Sequence, residues 1–170
     1  MMLLQRSSLL LSDLMSETKA SLPYTVQKEI QHAIEESGCI AIVTSQSARG
    51  LFLYTVGNTE FGLPELLVFC TEQSMTRTYS WLQKFCQFMQ ETAAIPHPHR
   101  ELTFQKRHYY PILMDRALVD AYATAVNHYY NAPGRVTAVI QLISPDSRGN
   151  YPHEQSYTKA SFQSPYLRCH

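Results

Sequence analysis

The stretch LFLYTVGNTEFGLPELLVFC, residues 51–70, decides the fold because it contains two strands and the connection between them. Alternate side chains of a strand point to opposite faces. One face of residues 51–56 therefore carries Phe52, Tyr54 and Val56, and the other carries Leu53 and Thr55. Residues 66–70 are apolar throughout, which is typical of a strand covered on both faces. The stretch predicts a sheet with a layer of structure on each side.

The connection between these strands is rich in polar and turn-forming residues. Gly57 permits a sharp turn because it has no Cβ, and the residues that follow it are frequent turn formers. Two interpretations stay open. In one, the connection is structural and its side chains satisfy backbone groups. In the other, it is the lip of a pocket in which Glu60 or Glu65 acts as an acid/base or ligand-binding carboxylate.

The rest of the chain extends this pattern. Apolar residues recur every three to four positions in three stretches, which predicts helices at residues 25–37, 71–90 and 115–130. Short apolar runs predict further strands at residues 39–44, 101–104, 108–114 and 135–143. This order favours an α+β fold, with an antiparallel or mixed sheet of about five to six strands covered by two to three helices. We assign residues 1–22 to an N-terminal extension and 23–170 to a single α+β domain.

A second polar motif, QLISPDSRGNYP, occupies residues 141–152. Gln141 lies within an apolar strand, so its amide needs partners, and we expect it to be bonded to the turn after Gly57 or to the segment around Asp146. Replacing it with leucine would then cost stability. Asp146 is suited to accept from the backbone amide two residues later. His153 and Glu154 follow, where an acid/base pair is a further hypothesis.

Together, the two motifs resemble those of the small bacterial domain-of-unknown-function family 4262. Its members carry a stretch like Y-T-V-G-L-T-x-x-x-x-H-P-E-L and a later one like L-Q-x-x-W-P-D-x-x-G-x-F-P-W-E, and the resemblance covers residues 23–167. It implies a shared fold but no established activity. The chain has Leu63 where the family shows histidine, and Ser144 and His153 where it shows tryptophan. A role that depends on this histidine or on a box of aromatic side chains therefore cannot be transferred from the family to this chain.

Pairing of polar motifs suggests one shared surface, so we expect the two motifs to meet in space. The candidate ligand or interaction pocket would then be lined by residues from both: Tyr54, Thr55, Gly57, Thr59, Glu60, Glu65, Gln141, Asp146 and His153.

Composition narrows the classes of partner. The chain has 170 residues, with 14 basic and 14 acidic side chains and no net charge. No net field therefore draws it to nucleic acid or to a membrane, and little repulsion opposes formation of a homo-oligomer. We expect a cytoplasmic protein with free buried thiols, because its four cysteines are widely spread and no signal peptide is recognisable.

Motifs for cofactors and metals are also missing from the sequence. No phosphate-cradling glycine loop, dinucleotide fingerprint or nucleophile elbow occurs, so we expect no cofactor. His97 and His99 have a chelating spacing but lie in a proline-containing loop, and we expect them to be solvated and to bind no metal.

Two hypotheses for function follow. The first is a non-enzymatic binding or regulatory domain that engages a protein or a small ligand, based on the 11 tyrosines and the lack of a catalytic motif. The alternative is a hydrolase or transferase with a carboxylate-centred pocket between the two motifs. Converging titratable groups in a concave pocket would favour the enzyme, and a flat aromatic patch would favour the binding domain.

Overall fold

A computed structural model describes residues 24–37, 41–47, 50–130, 138–151 and 153–157. The fold is α+β, as predicted. The described helices are α1 (Tyr24–Ser37), α2 (Met75–Thr92), α3 (Arg116–Tyr122) and α4 (Thr124–Tyr129). The described strands are β1 (Ala41–Ser47), β2 (Gly50–Val56), β3 (Glu65–Cys70), β4 (Leu102–Phe104), β5 (Arg107–Leu113) and β6 (Val139–Ile143).

The strands form one mixed sheet in the order β1-β2-β3-β6-β5-β4. The first three strands pair antiparallel through short connections, and β5 pairs antiparallel with both β4 and β6. Strands β3 and β6 are parallel, with Glu65 opposite Val139 and Val68 opposite Leu142. This central parallel pair joins two antiparallel halves. Its direction determines which loops lie at the same end of the strands.

The sheet separates two hydrophobic cores. On one face, Phe52, Tyr54 and Val56 pack with residues of α1, α3 and α4. On the other face, Leu53 packs with α2, whose buried side chains include Trp81 and Phe85. The alternation predicted for residues 51–56 is therefore confirmed, because Leu53 and its two even-numbered neighbours belong to different cores. Burial on both faces also explains why β3 is apolar after its first residue.

The third predicted helix is correct in place but broken in the middle. Asp115 begins α3 as expected, since its side chain accepts a hydrogen bond from the Leu118 amide at 2.8 Å. At Ala123 the backbone leaves the helical region, with φ −124° and ψ 45°, and α4 begins at the next residue. The described residues thus form four helices where the sequence predicted two to three.

Some predictions concern parts of the chain outside the described residues. These are the extension 1–22, the first residues of the predicted strand at 39–44, residues 135–137 of the last predicted strand, and Cys39 and Cys169. Within the described residues, no helix combines the length and the apolar character needed to cross a bilayer.

The two described cysteines are free and buried, as the sequence predicted. Burial raises the pKa of the Cys70 thiol to about 11, so at neutral pH it is protonated and a poor nucleophile. Cys86 lies on α2, and its side chain is fully enclosed in the core on that face of the sheet. We expect iodoacetamide at pH 8 to leave both thiols unmodified in the folded protein and to modify both in urea. Peptide mass spectrometry measures this, and modification of either in the native state would contradict the burial.

Candidate functional site

The first motif forms a tight loop after β2. Gly57 has φ 126°, a conformation that side chains with a Cβ rarely adopt, and it leads into a 3₁₀ turn over Asn58–Phe61. Gly62 closes the turn in the left-handed region with φ 72°. The Leu63 amide then donates to the Asn58 carbonyl at 3.1 Å, which returns the chain to β3. The two glycines therefore fix the shape of the loop.

Glu65 lies at the centre of this loop with no exposed surface. Its Oε1 accepts hydrogen bonds from the amides of Gly57 at 3.1 Å and Thr59 at 3.0 Å. The same oxygen accepts from the hydroxyls of Thr59 at 3.1 Å and Tyr130 at 2.8 Å. Its Oε2 accepts from the Thr55 hydroxyl at 2.6 Å. Five donors from three elements thus converge on one carboxylate.

Tyr130 is the most distant of these donors in sequence. Burial raises the pKa of the Tyr130 hydroxyl, and the negative charge of Glu65 and their hydrogen bond raise it further. The phenol therefore keeps its proton and acts as a donor. Through this bond the end of α4 is attached to the loop after β2.

Thr55 and Asn58 connect the carboxylate to further backbone and side-chain groups. The Thr55 hydroxyl accepts from the Leu66 amide at 2.8 Å. The Asn58 amide nitrogen lies 3.3 Å from the Thr55 hydroxyl and 3.2 Å from the carbonyl of Pro64. Asn58 Oδ1 accepts from Gln90 on α2 at 3.4 Å. These contacts match the structural interpretation of the motif, in which its side chains satisfy backbone groups.

The other candidates of the first motif have no common focus. Tyr54 is 1% exposed and belongs to the core under α1, with its ring 6.2 Å from that of Phe52. Glu60 is exposed at the outside of the turn. Leu63 stands where members of the family show a histidine, and it is buried in the core beneath α2. The motif therefore contributes packing and loop geometry.

The second motif also forms a self-contained turn. Asp146 is 7% exposed, and one of its oxygens accepts from the amides of Arg148 at 2.8 Å and Asn150 at 2.9 Å. The bond to the amide two residues on was predicted from the sequence. His153 is exposed, and its ring lies 4.4 Å from that of Tyr110. The Glu154 carboxylate accepts from the Tyr151 amide, so it stabilises the local turn.

The prediction that the two motifs meet is wrong. Because β3 and β6 are parallel, with Glu65 opposite Val139, both strands begin at the same end of the sheet, measured along the strand direction. Gly57 follows β2, which is antiparallel to β3, and so lies at that same end. Asp146 comes after the last residue of β6 and so lies at the opposite end of the sheet. A single pocket lined by both motifs does not form.

Gln141 is the first residue of the second motif and lies in the middle of β6. It is inward-facing as expected, with no exposed surface, and its strand neighbours are Leu67 and Ile112. The expected hydrogen bonds to the first turn or to the segment around Asp146 are not formed. Neither its Nε2 nor its Oε1 has a hydrogen-bond partner in the part of the chain that the structure describes. Among the described residues, this side chain is therefore an unsatisfied polar group inside the core.

A different feature of the surface brings several cationic side chains together. An open groove of about 480 Å³, which we call the basic groove, lies between α2 and the β4–β5 hairpin. Its lining contains three cationic side chains and no acidic one: Gln73, Thr76, Arg77, Ser80, Trp81, Lys84, Gln105 and Arg107. The two ion pairs found among the described residues join His32 to Glu36 and His108 to Glu101. Within the described residues, none of the three cations forms an ion pair with a carboxylate.

Aromatic packing fixes the two walls of the basic groove relative to each other. The Trp81 indole donates to the carbonyl of Phe104 at 3.1 Å, which ties α2 to the hairpin. The Trp81 ring also lies 4.5 Å from the Tyr109 ring. Arg107 donates to the Tyr109 hydroxyl at 3.5 Å. Burial raises the pKa of Tyr109, and the neighbouring Arg107 opposes this rise.

Sequence reasoning missed the basic groove. Arg77 and Lys84 are seven positions apart and hence share a helix face, a signal that was present in the sequence. Arg107 gave no such signal, because its proximity to α2 depends on how the hairpin packs. No group of three or more side chains suited to holding a metal ion occurs within the described ranges.

The family model for a domain of unknown function, DUF4262, matches residues 33–158. The chain belongs to the DUF4262 family. The matched range contains the Glu65 loop, the basic groove and the turn around Asp146 of this DUF4262 protein. No curated protein and no solved structure matches the chain. The DUF4262 assignment thus confirms the resemblance seen in the sequence, and any function has to be argued from the residues themselves.

Proposed function

We propose that the protein is a non-enzymatic binding domain that holds an anionic ligand in the basic groove. The observation that carries this proposal is the set of three cations, Arg77, Lys84 and Arg107, in a lining without a carboxylate. Like charges held close together repel one another, so an anion placed between them relieves that repulsion as well as gaining direct attraction. The hydroxyl and amide groups of the lining supply further donors.

The zero net charge of the chain supports a local site. A protein that attracts long polyanions generally carries an excess of basic residues over a broad surface. Here the 14 basic side chains are balanced by 14 acidic ones, and three of the basic ones lie together in one groove. This favours a small anionic ligand over a long polyanion.

The alternative, a hydrolase or transferase with a carboxylate-centred pocket, has little support. Glu65 is fully enclosed and accepts five hydrogen bonds from β2, the loop after it and Tyr130, so it has no access to a substrate. Asp146 accepts hydrogen bonds from backbone amides at the opposite end of the sheet. A general acid or base must reach the proton that it transfers, and neither carboxylate faces the basic groove.

The proposal predicts ligand binding that can be read from intrinsic fluorescence. Trp81 is the single tryptophan of the chain and lines the groove. We expect tripolyphosphate and citrate, two compact polyanions, to change its emission in a saturable way. Replacing Arg77, Lys84 and Arg107 together with glutamine should weaken this binding at least about tenfold, because hydrogen bonds to charged groups contribute roughly 1.5–3 kcal/mol each.

A matched variant controls for the loss of charge. Arg100, Arg116 and Arg148 are exposed and lie outside the groove, so their combined replacement with glutamine removes the same charge elsewhere. This control should bind like the parent protein, and circular dichroism should show both triple variants folded. The proposal fails if neither polyanion gives a saturable change, or if the two triple variants lose affinity equally.

A further inference from the structure

We infer that the ligand of the basic groove is a small organic molecule with a phosphate group at each of its two ends. This inference rests on the proposed function, because it names the ligand class for the same groove. Three observations carry it: the separation of the cations along α2, the chemistry of the groups beside them, and the size of the groove.

The first observation is the spacing of Arg77 and Lys84. They are seven positions apart, which corresponds to a rise of roughly 10 Å along the helix. Trp81 lies between the two, four residues after Arg77 and three before Lys84, and its indole is fixed against the hairpin. The two cations therefore leave α2 on either side of the buried Trp81, one nearer each end of the groove wall that α2 forms. A ligand with two separated anionic groups would use both.

The second observation concerns the donors around each cation. The guanidinium groups of Arg77 and Arg107 present planar forks of N–H donors, which match phosphate oxygens. Thr76 and Ser80 add hydroxyl groups to the same wall. Arg77 lies in the first turn of α2, where the helix dipole favours an anion, and that turn has no acidic residue. Phosphate offers more acceptor oxygens and more charge than a carboxylate to such a set.

The third observation is the volume. About 480 Å³ is within the range of roughly 300–1,000 Å³ that is typical of small-molecule sites. A free phosphate ion would leave most of this space to water. The polar side chains Gln73 and Gln105 also line the groove and can form hydrogen bonds with hydroxyl groups of the ligand. A sugar bisphosphate has this combination of features.

The test compares two sugars that differ by one phosphate group. Fructose 1,6-bisphosphate and fructose 6-phosphate are titrated against the full chain, with Trp81 fluorescence and isothermal calorimetry as readouts. We expect the bisphosphate to bind at least tenfold more tightly. Arg77→Gln and Lys84→Gln should each abolish most of this difference, whereas Arg116→Gln, which lies outside the groove, should preserve it.

Further probes separate failure of this inference from failure of the proposed function. If citrate or an oligonucleotide of single-stranded DNA binds as tightly as the bisphosphate, or if both sugars bind equally, the groove is an anion site but the bisphosphate inference is overturned. If none of these probes binds, the proposed function fails together with the inference. Selective binding of the bisphosphate that depends on both Arg77 and Lys84 supports both.

Discussion

Replacing Glu65 with alanine is expected to destabilise the fold by about 4 kcal/mol or more. Three of its donors, on Thr55, Gly57 and Tyr130, are buried and would lose their acceptor. Each buried donor left unsatisfied costs roughly 1–3 kcal/mol, and bonds to a charged group lie at the upper end of what a hydrogen bond contributes. This is a large part of the roughly 5–15 kcal/mol that stabilises a typical domain. Urea denaturation at pH 7 measures it.

Glu60 provides a control within the same motif. It is also a loop carboxylate, but it is exposed, and surface substitutions usually change stability by less than about 0.5 kcal/mol. Glu65→Gln keeps the shape and one acceptor oxygen but turns an NH₂ group toward the donors, so its effect should fall between those of Glu65→Ala and Glu60→Ala. Equal stability of the Glu65→Ala and Glu60→Ala variants would show that the loop does not depend on the buried carboxylate.

Local patterns predicted the elements around this loop well. The strands β2 and β3 lie within one residue of their predicted bounds, because their side chains alternate between two cores or are buried on both faces. The break between α3 and α4 was not predictable in the same way. The apolar pattern continues through Ala123, and no glycine or proline marks the interruption. Ala123 is fully buried, so tertiary packing accompanies the break.

The functional geometry depended on contacts that the sequence does not encode locally. Asn58 and Thr59 could be identified as turn formers, but the bond from Tyr130 to Glu65 spans 65 positions. The relative location of the two motifs depended on whether β3 and β6 run parallel, and hydrophobic patterns do not report strand direction. The basic groove likewise required the packing of the hairpin on α2.

Gln141 illustrates how the structure reverses the sign of an expected effect. From the sequence, a buried amide with partners predicts that leucine at this position costs stability. In the structure the amide is fully buried, but neither of its polar atoms is bonded to any of the described residues. Leucine would then leave no donor or acceptor behind and would remove an uncompensated desolvation penalty of roughly 1–3 kcal/mol. We therefore expect Gln141→Leu to stabilise the fold by about this amount.

Asn58→Leu is the matched control, because Asn58 is an equally buried amide whose nitrogen and oxygen are both bonded. This variant should be destabilised, since the Pro64 carbonyl loses a donor. Gln141→Glu should also be destabilised, because it would bury either a charge or a further unpaired hydroxyl. Thermal and urea unfolding of the three variants measure these effects. A loss of stability in Gln141→Leu would show that the amide has a partner in the folded protein, and the sequence-based expectation would then be correct.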